Sequence, residues 1–488
     1  MLLNKVLVGL KNYLVYGKKD VFAKKLCINS KKCTKNSIFF CISGTKVDGK
    51  QYIDEAILNG AIAIVMQKKD EKIYCKNKKF DNITFVFVDD VREAMAVMSA
   101  NFFGNPQKKL KMIGITGTNG KTSTSYIIAQ MLKNYGKKVG IIGTSGNFFD
   151  DEKHSAKLTT PDSIDLFEIL NKMVQKNIEY CVMEVSAHAI FLKKIFGVDF
   201  AVKVLTNVKT DHLDFFKTQN NYENAKLSFF ERGENFVVNG DDKVGKIISK
   251  SSKDKTVTFG YQKSNYYKIC DENLTLSGSE FDIKTKKNKY HFYINLVGKF
   301  NIYNFACAVA VLEKLGFFVK KLPKKCQKFD ILGRFSIFYH KNNVNIIIDY
   351  AHTVDSLKNL FETISSVSKN KNIVVFGAPG ERESQKRKLF GQLAVKYCET
   401  VIVTTDNPAS ENPRRIAFEI LSGTKNSSKN CFYIEDRKKA IKKAFDMAKR
   451  DTNILIVGKG SEDCQIVGDK KIPYCDFDEV KKYLDYKN

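Results

Sequence analysis

The chain is 488 residues long, carries a formal net charge of +28 and contains twelve cysteines. This length is too great for one compact core and predicts two to four domains. The sequence has no run of eighteen apolar residues and no N-terminal leader pattern, so we expect neither membrane insertion nor secretion. The cysteines are scattered without paired, metal-type spacing, which predicts reduced thiols in a cytoplasmic protein.

The excess of positive charge raises the possibility of a nucleic-acid partner. The lysines, however, are spread along the whole chain and mixed with acids, whereas a nucleic-acid surface concentrates them in one arm or stripe. We therefore expect small-molecule partners, with a modest bias towards anionic ones, and no nucleic acid.

The first 105 residues read as a small α/β domain. "NSIFFCISG" is typical of a strand, "DGKQYIDEAILNG" of a helix ending at Gly60, and "AIAIVMQ" of a second strand. Around "NFFGNPQKKLKMIG" the apolar pattern lapses, so we place a linker near Pro106. From there to residue 332 strands and helices alternate, which predicts a parallel sheet covered by helices.

The second domain opens with a glycine-rich stretch between the strand "KMIGIT" and a helix that stops at Gly136. The usual phosphate-loop pattern needs a glycine five residues before Gly120, and that position is Ile115. The surroundings still favour a phosphate loop over an unliganded turn, because backbone N–H groups at a helix N-terminus attract phosphate. Lys121 supplies a charge for the outer phosphates and Thr122 a hydroxyl for Mg²⁺.

Two further strand ends in this domain carry acids and histidines. "YCVMEVSAHAI" runs into Glu184, Ser186 and His188, and "FAVKVLTNVKTDHLDFF" runs into a group of four polar residues, Asn207, Asp211, His212 and Asp214. Mg²⁺ prefers oxygen ligands, often one carboxylate together with substrate phosphates. The cluster therefore predicts a magnesium site beside the phosphate loop.

Residues 333–488 repeat the α/β pattern and predict a third, Rossmann-like domain. Its apolar runs are "NVNIIIDYAH", "KNIVVFGAPG", "TVIVTTDNP", "NCFYIED" and "NILIVGKG". Four of them end in Gly, Pro, Asp or His clusters, which is where open α/β sheets place ligands. Taken alone, the Asp-Asn-Pro turn at Asp406 is as typical of an ordinary turn as of a binding site.

These motifs together resemble the Mur ligases, ATP-dependent amino-acid ligases of peptidoglycan precursor synthesis. "TGTNGKTS" is similar to their variant phosphate loop, "MEVSAHAI" to their "MEVSSHAL", and "TNVKTDHLDFF" to their "TNLxxDHLDxH". "YENAKLSFF" resembles the segment whose lysine is carbamylated, "GKFNIYNFACAVA" the "GxFNxxNxLAA" element, and "DYAHTVDSLKNL" the "DYAHTPDSL" element. Within the family, "TTPDS" and "GKGSEDCQIVGDKKIPYCD" are typical of the MurE type, which adds the third peptide residue.

The resemblance implies three domains and a reaction. Residues 1–105 would bind uridine, 106–332 would form the ATP-binding domain, and 333–488 would bind the incoming amino acid. The reaction would join a diamino acid to the D-glutamate γ-carboxylate of UDP-N-acetylmuramoyl-L-alanyl-D-glutamate through an acyl phosphate. ATP and Mg²⁺ would be the cofactors, and we expect a monomer.

Site residues follow from the resemblance position by position. Those for ATP are Gly117, Thr118, Asn119, Gly120, Lys121, Thr122, Ser123, Asn301, Asn304, Arg334, Asp349 and His352. Those for the UDP-muramoyl-dipeptide are Ser30, Gly44, Thr45, Lys46, Val47, Thr159, Thr160, Ser186 and Lys194. The expected metal ligands are Thr122, Glu184, His212 and Lys226. Catalysis would rest on Lys121, Lys226, His212 and Glu184.

Lys226 has two interpretations. By itself "ENAKLSFF" predicts an ordinary exposed lysine on a helix. The resemblance implies instead that Lys226 carries CO₂ as a carbamate, which would turn a cation into an anionic ligand for Mg²⁺.

The resemblance places the amino-acid pocket at Arg382, Asp406, Asn407, Ala409, Gly458 and Glu462. In this family, enzymes for meso-diaminopimelate carry arginine at the position of Ala409, where a guanidinium can grip the second carboxylate. Without that arginine we expect L-lysine, held by Arg382 at its α-carboxylate and facing Glu462 with an amino group. Meso-diaminopimelate, ornithine and other diamino acids remain alternatives.

The sequence departs from the family pattern at Ala187, Lys194, Val354 and Ser461. The first two affect the expected peptide contacts, and Ser461 lies in the expected amino-acid pocket. Two weaker functional alternatives are a folylpolyglutamate synthase, which lacks the small N-terminal domain, and a phosphate-loop protein acting on nucleic acid. The latter would not explain "DYAHT" or "TTPDS".

Overall fold

The computed structural model describes residues 1–44, 48–75, 80, 82–150, 152–156, 158–318 and 328–484. The chain forms two compact units, and each is described by itself. The first unit comprises Met1–Gly117, Tyr135–Val204 and Asn224–Phe236. The second unit comprises Thr118–Asn134, Leu205–Glu223 and Val237–Asn488.

The described residues contain strands and α-helices throughout the chain. The strands are β1 Leu14–Tyr16, β2 Lys25–Cys27, β3 Ser37–Phe40, β4 Ala61–Gln67, β5 Thr84–Val88, β6 Lys111–Thr116, β7 Val139–Gly143, β8 Gly146–Phe149, β9 Glu152–His154, β10 Tyr180–Glu184, β11 Val202–Leu205, β12 Phe236–Asn239, β13 Thr256–Gly260, β14 Tyr267–Thr275, β15 Gly278–Lys284, β16 Lys289–Ile294, β17 Ser336–His340, β18 Val344–Asp349, β19 Lys371–Phe376, β20 Thr400–Val403, β21 Asn430–Tyr433, β22 Thr452–Val457, β23 Cys464–Val467 and β24 Lys470–Pro473. The α-helices are α1 Leu3–Val6, α2 Ile53–Leu58, α3 Glu71–Tyr74, α4 Val91–Phe102, α5 Lys121–Asn134, α6 Ser163–Gln175, α7 Ala187–Phe191, α8 Leu213–Phe216, α9 Gln219–Leu227, α10 Lys243–Ser251, α11 Lys299–Lys314, α12 Val354–Val367, α13 Gln385–Tyr397, α14 Pro413–Leu421, α15 Arg437–Met447 and α16 Asp476–Lys481.

The first unit begins with a five-stranded sheet in the order β1-β5-β4-β3-β2, parallel except for β1. Its inner strands are buried on both faces, which is why "SIFF", "AIAIVMQ" and "TFVFV" are nearly continuous apolar runs. The predicted helix before Gly60 begins as a 3₁₀ turn at Gly49–Tyr52 and continues as α2. Gly60 has a φ of +98°, a conformation that favours glycine and ends this helix.

The rest of the first unit places its strands in the order β11-β6-β10-β7-β8-β9. Strands β6, β10 and β7 are parallel, as predicted, whereas β8 and β9 are antiparallel to their neighbours. The predicted parallel sheet is confirmed for β6, β10 and β7, and β8 and β9 extend it as antiparallel strands. The reason is connection length: β7 ends at Gly143 and β8 begins at Gly146, and so short a link can only join antiparallel strands.

The second unit contains strands in the order β12-β13-β14-β15-β16, of which β14, β15 and β16 are antiparallel. These antiparallel hairpins also have short links. Helix α11 packs against both α5 and β13. This packing brings the "GKFNIYN" segment at the start of α11 to the helix that follows the phosphate loop.

The C-terminal part of the second unit is a six-stranded sheet in the order β17-β18-β22-β19-β20-β21. Only β17 is antiparallel to its neighbour. Strand β22 comes last in sequence yet lies between β18 and β19. The carboxyl ends of β18, β22, β19 and β20, at Asp349, Val457, Phe376 and Val403, therefore lie side by side, and open α/β sheets bind ligands at such an edge.

Two hydrophobic clusters cover the faces of this C-terminal sheet. Ile347, Val374 and Leu455 pack with α12, α13 and α14, while Ile346, Ile348 and Ile454 pack with α15 and α16. Alternation along each strand divides the apolar side chains between the two faces. Among the described helices, none is both long enough and apolar enough to span a membrane.

Candidate active site

The phosphate loop runs from the end of β6 at Thr116 to the start of α5 at Lys121. Gly120 has a φ of +85°, and a Cβ atom there would lie 2.5 Å from the side-chain oxygen of Asn304. Both facts require glycine at this position. The Nζ atom of Lys121 donates to the main-chain oxygen of Thr118 at 3.0 Å, so the lysine folds back over the loop.

The segment after β11 holds this loop in place within the second unit. Thr206 Oγ1 and Asn207 Nδ2 donate to the carbonyl oxygen of Asn119 at 2.7 and 2.9 Å, and the Asn119 amide donates back to Asn207 Oδ1 at 3.0 Å. The Thr118 amide donates to the main-chain oxygen of Asn207 at 2.8 Å. Neutral hydrogen bonds therefore hold Thr118 and Asn119 of the loop against the segment that follows β11.

A cavity of about 560 Å³ in the second unit brings together predicted nucleotide residues from four parts of the chain. Its lining includes Asn119, Gly120, Ser123, Asn304, Arg334, Asp349 and His352. Arg334 Nη2 donates to Thr122 Oγ1 at 3.2 Å, and the guanidinium lies over the Tyr350 ring at 4.4 Å. The size and mixed polarity of this cavity suit a nucleotide.

Asn301, which we predicted to bind ATP, is not among the residues that line this cavity. Its side chain is buried, donates to Val297 O at 2.9 Å and accepts from Asn304 Nδ2 at 3.3 Å. The structure thus places Asn301 behind Asn304, which lines the cavity. The cavity lining also includes Asp241 and Tyr303, which were not predicted from the sequence. Tyr303 OH donates a hydrogen bond to Asp241 Oδ2 at 2.6 Å. The "NGDD" sequence after β12 could have indicated Asp241.

Asp211 and His212 lie at the start of α8. The His212 backbone has a φ of +54°, and its Nε2 atom lies 3.5 Å from Asp211 Oδ2. Burial raises the pKa of Asp211, but the positive charges of His212, Lys386 and His352 outweigh it and hold that pKa below its usual range. Asp211 is therefore an ionised oxygen donor beside the predicted metal ligand.

Glu184 ends β10 in the first unit, in register with Ile115 of β6. Its carboxylate accepts from the Thr144 amide and the Thr144 hydroxyl, both at 3.0 Å, and only 1% of the residue is exposed. A Cβ on Gly143 would lie 2.1 Å from Glu184 Oε1, so glycine is required beside it. A carboxylate at this strand end fits an oxygen ligand for Mg²⁺.

The predicted dipeptide residues surround Glu184 in the first unit. The Thr159 hydroxyl lies 3.0 Å from that of Thr144, Thr160 Oγ1 donates to the Glu184 carbonyl at 2.8 Å, and the Ser186 amide donates to Thr160 Oγ1 at 3.0 Å. The structure thus brings Thr159, Thr160 and Ser186 together. Thr144 was missed, although it follows β7 at the same edge of the sheet.

Lys194 and Lys226 are both largely buried. Lys194 stands at the position where the family has arginine, and its Nζ atom forms an ion pair with Asp162 Oδ1 of the "TTPDS" segment at 2.8 Å. Lys226, near the end of α9, is 1% exposed. The interpretation of Lys226 as an ordinary exposed lysine was therefore wrong. Ala187 is a buried residue at the start of α7.

The predicted uridine residues fall partly outside the described structure. Ser30 Oγ donates to Glu55 Oε2 at 2.5 Å, and Asn59 Nδ2 donates to the Ser30 carbonyl at 3.1 Å. Gly44 is exposed. The remaining three predicted residues, Thr45, Lys46 and Val47, lie outside the described residues.

Apart from Arg382, the predicted amino-acid residues follow the carboxyl ends of β20 and β22. Asp406 is 5% exposed, and Gly458, with a φ of +112°, leaves room for it because a Cβ there would lie 2.6 Å from Asp406 Oδ2. Asn407 Nδ2 donates to Glu462 Oε2 at 2.9 Å. Burial raises the pKa of Asp406 above its usual value, although Lys459 and Arg437 partly oppose this.

Ala409 and Arg382 occupy different environments. Ala409 has a φ of +50°, and its amide and carbonyl bond to Ile466 O and Gly468 N at 3.1 and 2.8 Å. The turn is thereby tied to the β23–β24 hairpin. Arg382 is exposed in the loop between β19 and α13.

Sequence reasoning missed Lys459, although "GKG" follows β22 at the predicted edge. Its side chain is 0% exposed, and its Nζ atom lies 2.8 Å from Glu462 Oε2, 3.1 Å from Asn407 Oδ1 and 4.0 Å from Asp406 Oδ1. Glu462, which we expected to face an amino group of L-lysine, therefore already faces an ammonium of the protein.

Another group with metal-type ligands lies on β14 and β15, where donor atoms of Cys270, Asp271 and Asp282 fall within 4.8 Å of one another. Lys284 Nζ lies 3.1 Å from Asp271, and Lys289 Nζ lies 2.5 Å from Asp282. A cation would have to displace both ammonium groups, so we assign this cluster a structural role.

A phosphate loop, a buried carboxylate beside its strand and a Rossmann-like domain with ligand groups at one sheet edge define an ATP-dependent ligase of the Mur type. Family models match in chain order: the Mur ligase family catalytic domain over residues 23–103, the Mur ligase middle domain over 115–312 and the Mur ligase glutamate ligase domain over 333–460. The chain belongs to the Mur ligase family.

Individual relatives sharpen this assignment. The chain is 39% identical, over 99% of both sequences, to UDP-N-acetylmuramoyl-L-alanyl-D-glutamate–2,6-diaminopimelate ligase 1 of Clostridium acetobutylicum. It is 37% identical, over 98% of both sequences, to a ligase with the same substrates in its name from Caldanaerobacter subterraneus subsp. tengcongensis. A solved structure of such a ligase matches with a TM-score of 0.67 and 26% identity, covering 96% of this chain and 95% of that one.

These comparisons confirm the predicted family, the α/β fold class and the ligase activity. They support 2,6-diaminopimelate, the alternative amino acid, better than L-lysine, because the relatives carry that amino acid in their names. The match over 23–103 favours a Mur ligase over a folylpolyglutamate synthase, which lacks this domain. Mur ligases use ATP and Mg²⁺.

Proposed function

We propose that the protein joins meso-diaminopimelate to the D-glutamate γ-carboxylate of UDP-N-acetylmuramoyl-L-alanyl-D-glutamate at the expense of ATP, in peptidoglycan precursor synthesis. The observation that carries the ATP-dependent part is the cavity lined by Asn119, Gly120, Asn304, Arg334 and Asp349. The choice of amino acid is supported by the names of the relatives and by the ammonium of Lys459 beside Glu462.

The chemistry has two steps. The glutamate γ-carboxylate attacks the γ-phosphorus of ATP, which releases ADP and forms an acyl phosphate. The diamino-acid amine then attacks the acyl carbon, which forms the amide and expels phosphate. Positioning and charge stabilisation dominate phosphoryl transfer. Lys121 and Arg334 supply positive charge at the nucleotide, while Asn304 and Asp349 orient it.

Magnesium would be held by Thr122, Glu184 and His212 together with Lys226 as a carbamate, and it would neutralise phosphate charge. The support for the carbamate is the resemblance of "YENAKLSFF" to the carbamylated segment of the family, together with the burial of Lys226. A carbamate adds an anionic oxygen that a metal can compensate.

The remaining substrate contacts follow the three predicted domains, residues 1–105, 106–332 and 333–488. Ser30 and the segment from Gly44 to Val47 would bind uridine. Thr159, Thr160, Ser186 and Lys194 would bind the muramoyl-peptide, and Arg382, Asp406, Asn407, Gly458 and Glu462 the amino acid near Ala409. We propose a monomer in the cytoplasm that acts on small molecules and has no nucleic-acid partner.

An ATPase assay with each component omitted in turn tests this function. Phosphate release should require UDP-N-acetylmuramoyl-L-alanyl-D-glutamate and a diamino acid together, and mass spectrometry should find the tripeptide product. Phosphate release stimulated by nucleic acid, or by a folate and glutamate, would contradict the proposal.

The carbamate has its own test. Lys226→Ala should lower kcat by about two to three orders of magnitude, as expected when a charge-stabilising group is lost. Added short carboxylates should restore part of the activity by supplying the missing oxygens. An active parent whose Lys226 exchanges no labelled CO₂ and carries an unmodified amine would overturn the carbamate but leave the ligase function intact.

A further inference from the structure

Lys459 carries a buried charge, and neither of the two reaction steps described above involves this residue. It follows β22, between Gly458 and Gly460, and its side chain is 0% exposed. A buried ammonium is costly unless charged or polar acceptors surround it. Its surroundings in the second unit therefore decide what this lysine does.

Three of the predicted amino-acid residues provide those acceptors. Glu462 Oε2 lies 2.8 Å from Nζ, Asn407 Oδ1 lies 3.1 Å from it, and Asp406 Oδ1 lies 4.0 Å away. Asn407 also donates to the same Glu462 oxygen at 2.9 Å, so lysine, amide and carboxylate form a closed triangle. Such a closed network fixes the rotamers of all three side chains.

The network is anchored on both sides by main-chain and aromatic contacts. Asn407 Oδ1 also accepts from the Ile466 amide at 3.0 Å, and Glu462 Oε1 accepts from Tyr350 OH at 3.3 Å. The Glu462 amide in turn donates to the Lys459 carbonyl at 3.0 Å. Loss of the ammonium would remove one of the contacts that hold each of the two side chains, Asn407 and Glu462, in this arrangement.

Lys459 supplies one positive charge beside two carboxylates. Asp406 and Glu462 are two carboxylates near one another, and Lys459 is the ammonium close to both. The next cation, Arg437, is committed to Asp476, with both side chains 0% exposed. Lys459 therefore compensates part of the charge of the two carboxylates, and its closer partner is Glu462.

We propose that Lys459 is a positioning residue of the amino-acid pocket, which holds Asn407 and Glu462 in the arrangement that the diamino acid meets and compensates the charge of the pocket. This inference rests on the proposed function, and in it Lys459 acts on the substrate only through Asn407 and Glu462. It predicts a selective effect on the binding of the diamino acid.

Initial-rate kinetics of Lys459→Met test the inference, because methionine keeps the length of the side chain and removes its charge. We expect the KM for meso-diaminopimelate to rise at least about tenfold, the size typical of losing a charged hydrogen bond. The KM values for ATP and the UDP-dipeptide should change by less than about twofold, because Lys459 contacts residues that are proposed to bind the amino acid and not these two substrates. An unchanged KM for meso-diaminopimelate, or an equal rise in all three, would overturn the proposal.

Lys203→Met is the matched control. Lys203 is also a buried lysine, but its Nζ atom donates to the main-chain oxygens of Phe229 and Arg232. Its loss should leave the KM for meso-diaminopimelate unchanged relative to that for ATP. A selective rise of the meso-diaminopimelate KM in this control would show that burial, and not the Lys459 network, explains the result.

A double-mutant cycle separates positioning from a general loss of structure. On a Glu462→Gln background, Lys459→Met should add less than about a threefold further increase in KM, because the partner charge is already gone. A full further tenfold increase would overturn the proposal. This comparison needs only Glu462→Gln and the double variant. It therefore still tests whether Lys459 acts through Glu462 if Lys459→Met alone fails to fold. A parent that makes no product with any diamino acid would refute the proposed function itself.

Discussion

The nucleotide loop and the amino-acid pocket of this protein are stabilised by different kinds of interaction. Around the loop, Thr206 and Asn207 contact Asn119 through neutral hydrogen bonds. The Asn304 side chain packs so closely against Gly120 that no side chain fits there. In the amino-acid pocket, Lys459 and Glu462 are charged and lie 2.8 Å apart beside the buried Asp406.

This difference predicts different sensitivities. A neutral, tightly packed loop should respond to changes of shape and to loss of the phosphate-binding charge, and little to pH. A buried charge cluster should respond to substitutions that change the number of charges and to pH, because its energy depends on how those charges balance.

The largest expected effect is at the loop. Lys121→Ala removes the charge for the outer phosphates, and we expect kcat to fall by about a thousandfold, as when a stabiliser of the transition state is lost. Lys133→Ala, on the exposed side of α5, serves as the control and should remain active. Turnover near that of the parent in Lys121→Ala would mean that the loop is only structural.

The second effect tests shape. Gly120→Ala would place a Cβ 2.5 Å from Asn304 Oδ1 at a φ of +85°, so we expect the KM for ATP to rise about tenfold and the free energy of unfolding to fall by about 1–3 kcal/mol. Gly136→Ala is the matched control: it has a φ of +75° but no heavy atom within 4 Å of the added Cβ. It should cost about 1 kcal/mol without changing the KM for ATP. Equal effects of the two variants would refute the steric account.

The third effect tests charge in the amino-acid turn. Ala409→Arg adds a guanidinium that can pair with a second carboxylate, so kcat/KM for meso-diaminopimelate relative to L-lysine should rise about tenfold. Ala409→Gln, which is long but neutral, is the control for side-chain length. An unchanged ratio in the arginine variant would show that this turn does not face the distal end of the substrate.

The smallest effect concerns pH. Burial raises the folded-state pKa of Asp406, so its contribution to stability is present below the unfolded pKa and is lost as pH rises through the folded pKa. Asp406→Asn should lack this loss. Its free energy of unfolding relative to the parent should therefore increase between pH 4 and neutral pH, by about 1.4 kcal/mol for each unit separating the two pKa values. Denaturant titrations at several pH values measure this difference, and a constant difference would contradict it.

Much of the nucleotide site could be predicted because its pieces are local. The strand β6, the loop and α5 lie within one stretch, and Asn304 and Arg334 belong to motifs recognisable in the sequence. The antiparallel strands β8, β9 and β14–β16 were not predicted, since alternation of strand and helix does not reveal which short links are hairpins.

The amino-acid pocket was predicted less well because its chemistry depends on strand order. β22 lies between β18 and β19, which brings Lys459 beside Asn407, 52 residues away in sequence. The sequence places Ala409 in its turn but does not reveal that Lys459 already compensates Glu462. The expectation of L-lysine rested on Ala409, where no arginine is present, and it took no account of the ammonium that Lys459 places beside Glu462.

The most direct test of the account is a competition between equal concentrations of meso-diaminopimelate and L-lysine for the parent protein, with ATP and UDP-N-acetylmuramoyl-L-alanyl-D-glutamate present. The product ratio, measured by mass spectrometry at low conversion, gives the ratio of the two kcat/KM values. A pocket in which Lys459 already pairs with Glu462 should give mainly the diaminopimelate-containing tripeptide. A predominance of the lysine-containing tripeptide would contradict the account and would favour Asp406 and Glu462 as partners of the substrate ammonium.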